Sequence, residues 1–244
     1  MSDPASVSPP PTTDQAGKFE DFVDIFFSPA KVFARRATAS PALPFVIVTV
    51  LLIVLFWVNR NVMSSIMDAE ISKQMEAAMK KNPSMTADQL AAGKAIGQKV
   101  AAFGAIVFVP IGLLLIALLT WIVGRVLGGK PSYGTALLIT SFAWIPRVVE
   151  NVLVSLQGLV LDTSRMTSHF QLQLGPARFL DPATASLLQL NLLGRVDLIT
   201  LWVTVLFAIG LVYAGKVPRS KMVLAGVVMW VVGSLPAIYQ GLKG

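Results

Sequence analysis

The sequence predicts an all-α integral membrane protein, a polytopic bundle of about five transmembrane helices. Composition is the first reason. Hydrophobic residues make up 55% of the 244 residues and charged residues only 14%, whereas soluble domains carry about 25% charged residues. Distribution is the second reason, because the charged residues avoid several long stretches altogether. That clustering is typical of membrane spans rather than of one large soluble core.

Five apolar stretches account for the predicted spans. They lie at about residues 42–58, 100–123, 133–161, 198–214 and 222–239. At about 1.5 Å per residue, the shortest are just long enough for a hydrocarbon layer about 30 Å thick. We assign residues 42–244 to this membrane domain. Pro110, Pro146 and Pro236 are candidate kinks, because proline removes a helical hydrogen bond.

The residues before the first span divide into two parts. Residues 1–17, rich in Pro, Ser and Thr, are predicted to form a disordered tail because they cannot bury apolar surface. Residues 18–41 combine aromatic residues at helical spacing with basic ones, which favours an amphipathic helix in the lipid headgroup region. Packing against the other spans is the alternative. The candidate lipid-interface residues are Phe22, Phe26, Phe27, Lys31, Phe33, Arg35 and Arg36.

The loop after the first span, residues 60–99, is polar and long. Its alternating charges predict a water-exposed helical hairpin that extends from the membrane. Asn82 and Pro83 break the pattern. Thr86 followed by Gln89 matches a capping box, which starts a second helix.

Basic residues set the predicted orientation. The short loops after the second and fourth spans hold bases and no acids. These bases are Arg125, Lys130, Lys216, Arg219 and Lys221. Because short basic loops stay in the cytoplasm, we predict a cytoplasmic N-terminus and an external C-terminus.

No residue pattern predicts an enzyme, a metal site or a cofactor. The chain has no cysteine and one histidine, His169, which we expect to be an ordinary exposed side chain. The segment Gly124–Lys130 approaches a phosphate-binding loop, but Pro131 replaces the required Ser or Thr, and a membrane helix precedes it. The basic residues flank apolar runs and no recognised module is present, so nucleic acid is not a predicted partner.

Arg147 and Glu150 place two charged side chains in the third predicted span. A charge near the centre of a membrane helix costs about 2.5–3.5 kcal/mol. The two residues share a helix face, so they can pair. Three interpretations remain open: a substrate or proton pathway, a buried pair that locks the bundle, or a pair close to the membrane surface.

Three motifs in order carry a family resemblance. They are Phe26–Phe33 (FFSPAKVF), Gly129–Tyr133 (GKPSY) leading to Trp144–Pro146, and Asp197–Trp202 (DLITLW) leading to Gly210 and Lys221. With them the chain resembles the Yip family of Ypt/Rab-interacting membrane proteins, in its prokaryotic form, over about residues 19–240. The resemblance implies five spans, a cytoplasmic N-terminus and a place in membrane-trafficking or membrane-organising complexes.

The resemblance also limits the predicted partners. Eukaryotic members bind prenylated small GTPases through their N-terminal region, and an acidic-tyrosine-glycine-proline motif lies near the membrane. This sequence lacks that motif, so GTPase binding is not predicted. No catalytic residues transfer. We expect a non-enzymatic scaffold or adaptor of the bacterial cytoplasmic (inner) membrane, in contact with lipids and with other membrane proteins or itself. The alternative is a small transporter or channel that uses Arg147 and Glu150.

Overall fold

The computed structural model describes residues 17, 19–82, 86–162 and 166–243. Within this part of the chain all regular structure is helical, as predicted. The α-helices are α1 (Asp21–Phe27), α2 (Pro29–Arg35), α3 (Ala42–Lys81), α4 (Ala87–Val126), α5 (Tyr133–Ala143), α6 (Ile145–Val160), α7 (Leu187–Gly194), α8 (Leu198–Tyr213) and α9 (Met222–Lys243). The predicted disordered tail lies outside the described residues except for Gly17.

Among the residues that the structure describes, four helical segments are long and apolar enough to cross a membrane. They are Ala42–Ser64, Phe103–Val126, Tyr133–Val160 and Arg219–Leu242. Helices α7 and α8, bent by 52° at a short break, make a fifth if the pair counts as one span. The prediction of an all-α bundle with about five spans is therefore confirmed. The boundaries of the individual spans stay predictions.

Helix α8 connects the two ends of the bundle. After α8, the Gly215 carbonyl accepts a hydrogen bond from the Lys130 backbone N–H at 3.0 Å, so this end lies beside the turn between α4 and α5. Before α8, helix α7 meets the end of α9, since a Cβ at Gly241 would lie 2.7 Å from Leu188 Cα. Helix α9 therefore ends at the opposite side of the bundle from the α4–α5 turn.

The polar first loop is built from the ends of two long helices. Helices α3 and α4 have 40 residues each, about 60 Å at ~1.5 Å per residue. Beyond Ser64 and before Phe103 each continues outside the span for about 25 Å. We call residues 65–81 and 87–102 the arms. The predicted capping box is confirmed, because Thr86 Oγ1 accepts from Gln89 N at 3.3 Å and Gln89 Oε1 accepts from Thr86 N at 3.1 Å.

The three prolines lie in different settings. Helices α4 and α9 continue through Pro110 and Pro236, so kinks there stay predictions. The third span is interrupted at Trp144, and Pro146 lies in the first turn of α6. That position suits proline, because the first helical N–H groups have no partner within the helix.

The core is centred on α8, against which α2, α5 and α9 pack. Gly210 of α8 allows the closest approach, since a Cβ there would lie 2.6 Å from Ile139 and 3.1 Å from Phe33. Leu206 and Leu211 on the same helix are fully buried. The N-terminal helices are thus a part of the bundle core.

Candidate functional site

Arg147 and Glu150 form the ion pair that their spacing predicts. Arg147 Nη1 lies 2.6 Å from Glu150 Oε2. Arg147 Nη2 also donates to Thr200 Oγ1 of α8 at 2.6 Å. Their side chains are 20% and 17% exposed, so the pair is mostly shielded. Two charge-assisted bonds offset part of the cost of placing a guanidinium there.

Asp197 extends this network to the start of α8. It is fully buried and accepts hydrogen bonds from the Thr200 hydroxyl and from the backbone N–H groups of Ile199 and Thr200 at 2.9 and 3.1 Å. It is therefore the N-cap of α8 as well as the second carboxylate near Arg147. Our sequence reasoning missed this role, although an aspartate directly before an apolar run is a helix-start signal.

Arg195 links the bend between α7 and α8 to α9. Its Nε donates to Ser234 Oγ at 3.0 Å, and its carbonyl accepts from Trp230 Nε1 at 3.0 Å. In the structure it lies with other polar side chains between α6, α8 and α9. We call this set the polar layer: Arg147, Glu150, Arg195, Asp197, Thr200 and Ser234.

A cleft of about 490 Å³ lies between α3, α6 and the short turn at His169–Leu172. Glu150 and Asn151 line it from α6. At its back, Asn59 Nδ2 donates to the Asn151 carbonyl at 2.9 Å. Asn59 Oδ1 accepts from Ser155 Oγ at 2.6 Å. The ion pair of the third span therefore borders an open cavity on its Glu150 side.

His169 holds the outer loop against the α3 arm. Its Nδ1 lies 2.8 Å from Glu70 Oε1, and its backbone N–H donates to the same oxygen at 3.4 Å. The ring is 45% exposed, in agreement with the expected exposed side chain, but its contact with Glu70 was not predicted. The partner stands 99 residues earlier in the chain, so local sequence carried no signal for it. Within the described ranges, no group of three or more His, Asp and Glu side chains could hold a metal.

The two N-terminal helices are joined by ion pairs. Buried Asp21 accepts from Arg35 Nε at 2.6 Å and from Arg36 Nε at 2.5 Å. Arg35 Nη2 donates to Asp24 at 2.5 Å. Burial acts to lower the pKa of Arg35, but the hydrogen bonds and charges of Asp24 and Asp21 outweigh it and raise the pKa. Both arginines therefore bind protein carboxylates, and their contact with lipid headgroups stays a prediction.

The aromatic residues of this hairpin face different surroundings. Phe33 is fully buried, and its ring meets Phe142 edge-on at 6.3 Å between centroids. Phe22 lies 5.7 Å from the same ring, and Phe26 also packs against the core. The lipid-interface prediction is therefore wrong for Phe33, and α1–α2 pack on the bundle. Phe27 is 82% exposed and Lys31 is exposed. For these two, lipid contact stays a prediction.

The glycine-rich segment has a structural use at the basic end of the bundle. Gly128 adopts φ +89°, a conformation that favours glycine. A Cβ at Gly129 would lie 2.7 Å from the Gly215 carbonyl oxygen. Lys221 Nζ donates to the Leu127 carbonyl at 3.0 Å. The near-match to a phosphate loop is thus a tight turn packed on the α8–α9 turn.

Taken together, these features define a polytopic helical membrane protein with an N-terminal helical hairpin and a layer of polar side chains between α6, α8 and α9. The family model of the Yip1 domain matches residues 23–239. The chain belongs to this family, and the resemblance seen in the sequence is confirmed. Neither the curated proteins nor the solved structures contain a match.

Proposed function

We propose that this Yip1-domain protein is a non-enzymatic scaffold or adaptor in membrane organisation or trafficking. Its partners are other membrane proteins or further copies of itself, and lipids surround it. The arms of α3 and α4 carry the proposal. They extend the bundle by about 25 Å beyond the spans, which gives a partner a surface outside the bilayer.

The arms present apolar side chains where no hydrocarbon covers them. Ile96 is 62% exposed and Met79 is 37% exposed. Both lie outside the candidate spans. Outside the bilayer no acyl chains surround these apolar groups, so a protein partner that packs on the arms would remove them from water. The lipid-facing residues inside the spans, such as Phe108, have a different reason to be exposed, because acyl chains solvate them.

A photo-crosslinking amino acid at position 96 should give a discrete protein adduct in native membranes. The same group at position 108, also exposed but within a span, is the matched control and should give lipid adducts only. Ile96→Asp should lower crosslinking from position 79 by about tenfold, the effect of losing a residue worth more than ~1 kcal/mol to an interface. Absence of protein adducts from both arm positions would contradict the adaptor proposal.

We further propose a cytoplasmic N-terminus and an external C-terminus in a bacterial inner membrane. The bases of the α4–α5 and α8–α9 turns support this orientation, and those turns share one end of the bundle. A reporter that works only in the cytoplasm should be inactive when fused after Gly244 and active when fused before Met1. The reverse pattern would invert the topology.

Transport is the second candidate, and one observation favours it. Glu150 of the ion pair lines the cleft, as a solute-binding carboxylate in a transporter would. Uptake of a solute by proteoliposomes that Glu150→Gln abolishes would replace the adaptor proposal with transport. A cleft on one side of the bundle does not require transport, since a bound lipid could occupy the same cleft and contact the same residues.

A further inference from the structure

Basic side chains gather at one end of the bundle, where the α4–α5 turn meets the α8–α9 turn. The backbone N–H of Lys130 donates to the Gly215 carbonyl, and Lys221 Nζ donates to the Leu127 carbonyl, both at 3.0 Å. These two bonds join the turns, so their side chains share one surface. Residues 125–132 and 214–221 hold five bases and no acid. We call these bases the basic face: Arg125, Lys130, Lys216, Arg219 and Lys221.

The charge of the basic face is not neutralised by its surroundings. Its five bases contribute +5, compared with +7 for the whole chain. The N-terminal hairpin lies at the same end, since a Cβ at Gly134 would lie 3.9 Å from Pro41. Residues 1–41 hold five acids and four bases, so they offset at most one of the five charges. In the part of the chain that the structure describes, no carboxylate forms an ion pair with the basic face.

Two aromatic rings place the basic face at the membrane surface. Arg125 and Arg219 each lie at the end of a candidate span. The guanidinium carbon of Arg125 lies 5.6 Å from the Trp121 ring centroid, and that of Arg219 lies 5.3 Å from the Tyr213 ring centroid. Tryptophan and tyrosine favour the boundary between acyl chains and headgroups. In a bilayer, the anions nearest to these two guanidinium groups are therefore lipid phosphates.

Lys216 has a backbone conformation that favours glycine. Its φ is +58°, and within the described ranges it is the one residue other than glycine with a positive φ. A Cβ is crowded by the backbone in this left-handed region. The neighbouring turn has Gly128 in such a conformation, at φ +89°. A lysine kept where glycine would relieve strain, with its side chain exposed, indicates that the ammonium group has a use.

We propose that the basic face binds anionic phospholipids of the adjoining leaflet. Arg125, Lys216 and Arg219 contact the headgroup, and the acyl chains lie along the spans. A zwitterionic headgroup presents an ammonium as well as a phosphate, so attraction and repulsion oppose each other at a surface of five bases. A headgroup with net negative charge is attracted, by about 1 kcal/mol for each base near it. This ligand is independent of the protein partner proposed for the arms.

Native mass spectrometry of the full chain in detergent, with equal amounts of phosphatidylglycerol and phosphatidylethanolamine, tests the proposal. Phosphatidylglycerol should be retained at least roughly fivefold better, the equivalent of ~1 kcal/mol. Lys216→Gly should lower its retention by roughly fivefold and leave that of phosphatidylethanolamine unchanged. This variant should unfold at the same or a higher temperature, because glycine suits the backbone there, so misfolding is not the cause. Lys80→Gln and Lys99→Gln remove exposed charges from the arms and should change neither lipid.

A triple variant and two soluble competitors complete the test. Lys130→Gln with Lys216→Gly and Arg219→Gln should retain the two lipids equally. Glycerol phosphate should fail to displace phosphatidylglycerol, because it lacks acyl chains. Equal retention of the two lipids by the wild type overturns the proposal, and so does an unchanged preference in the triple variant. Displacement of the lipid by glycerol phosphate or by a short DNA duplex also overturns it, because the face would then bind a soluble anion.

Discussion

Replacing Phe33 by alanine should lower the free energy of unfolding by about 3–5 kcal/mol, the usual cost of truncating a buried phenylalanine. Phe33 is fully buried against Phe142 and beside Gly210. Its removal leaves a cavity where α2, α5 and α8 meet, and backbone contacts at Gly210 limit how far the helices can close it. Denaturant titration of the purified protein in detergent micelles, followed by circular dichroism, measures the change.

Phe27→Ala is the matched control on the same hairpin. Phe27 is 82% exposed, so its truncation should change the free energy of unfolding by no more than about 0.5 kcal/mol. If α1 and α2 instead lay in the headgroup region, apart from the bundle, both substitutions would have similar small effects on unfolding. Similar effects of Phe27→Ala and Phe33→Ala would therefore contradict the packed hairpin.

The error over this hairpin shows what local sequence can and cannot predict. An aromatic stripe at helical spacing is the same whether it meets lipid or protein, because both environments are apolar. The distinguishing features are distant in the chain. Asp21 pairs with Arg35 and Arg36, 14 and 15 residues away, and the space for the Phe33 ring is provided by Gly210. One signal for this hairpin was present in the sequence. Acidic residues lie before Ser28–Pro29 and basic residues lie after it, so the two helices could pair their charges.

The spans were predictable for the opposite reason. Hydrophobicity over about twenty residues is a local property. It favours insertion into a bilayer wherever the stretch lies in the chain. Capping at Thr86 was equally local, and the structure confirms it. Of the contacts that Arg147 makes in the polar layer, one could be predicted from the sequence and the other could not. Arg147 and Glu150 stand one helical turn apart, whereas Thr200 lies 53 residues beyond Arg147 and could be placed beside it only by the tertiary fold.

Removing Glu150 should destabilise the protein more than removing Arg147. Glu150→Ala leaves the Arg147 guanidinium bonded only to the Thr200 hydroxyl, with Asp197 one hydrogen bond further away and Arg195 close enough for the two positive charges to repel. The expected loss is about 2–4 kcal/mol, somewhat below that for a fully buried pair because both side chains are about one fifth exposed. Arg147→Ala should cost about 1–2 kcal/mol, since Glu150 lines the cleft and can be hydrated there.

A double-mutant cycle on unfolding in detergent micelles separates the pair from its surroundings. The double variant Arg147→Ala with Glu150→Ala should lose less stability than the two single losses added together, because neither charge is then left without its partner. That coupling would show that the two charges stabilise each other within α6. Additive losses with no coupling would show that the two residues act independently.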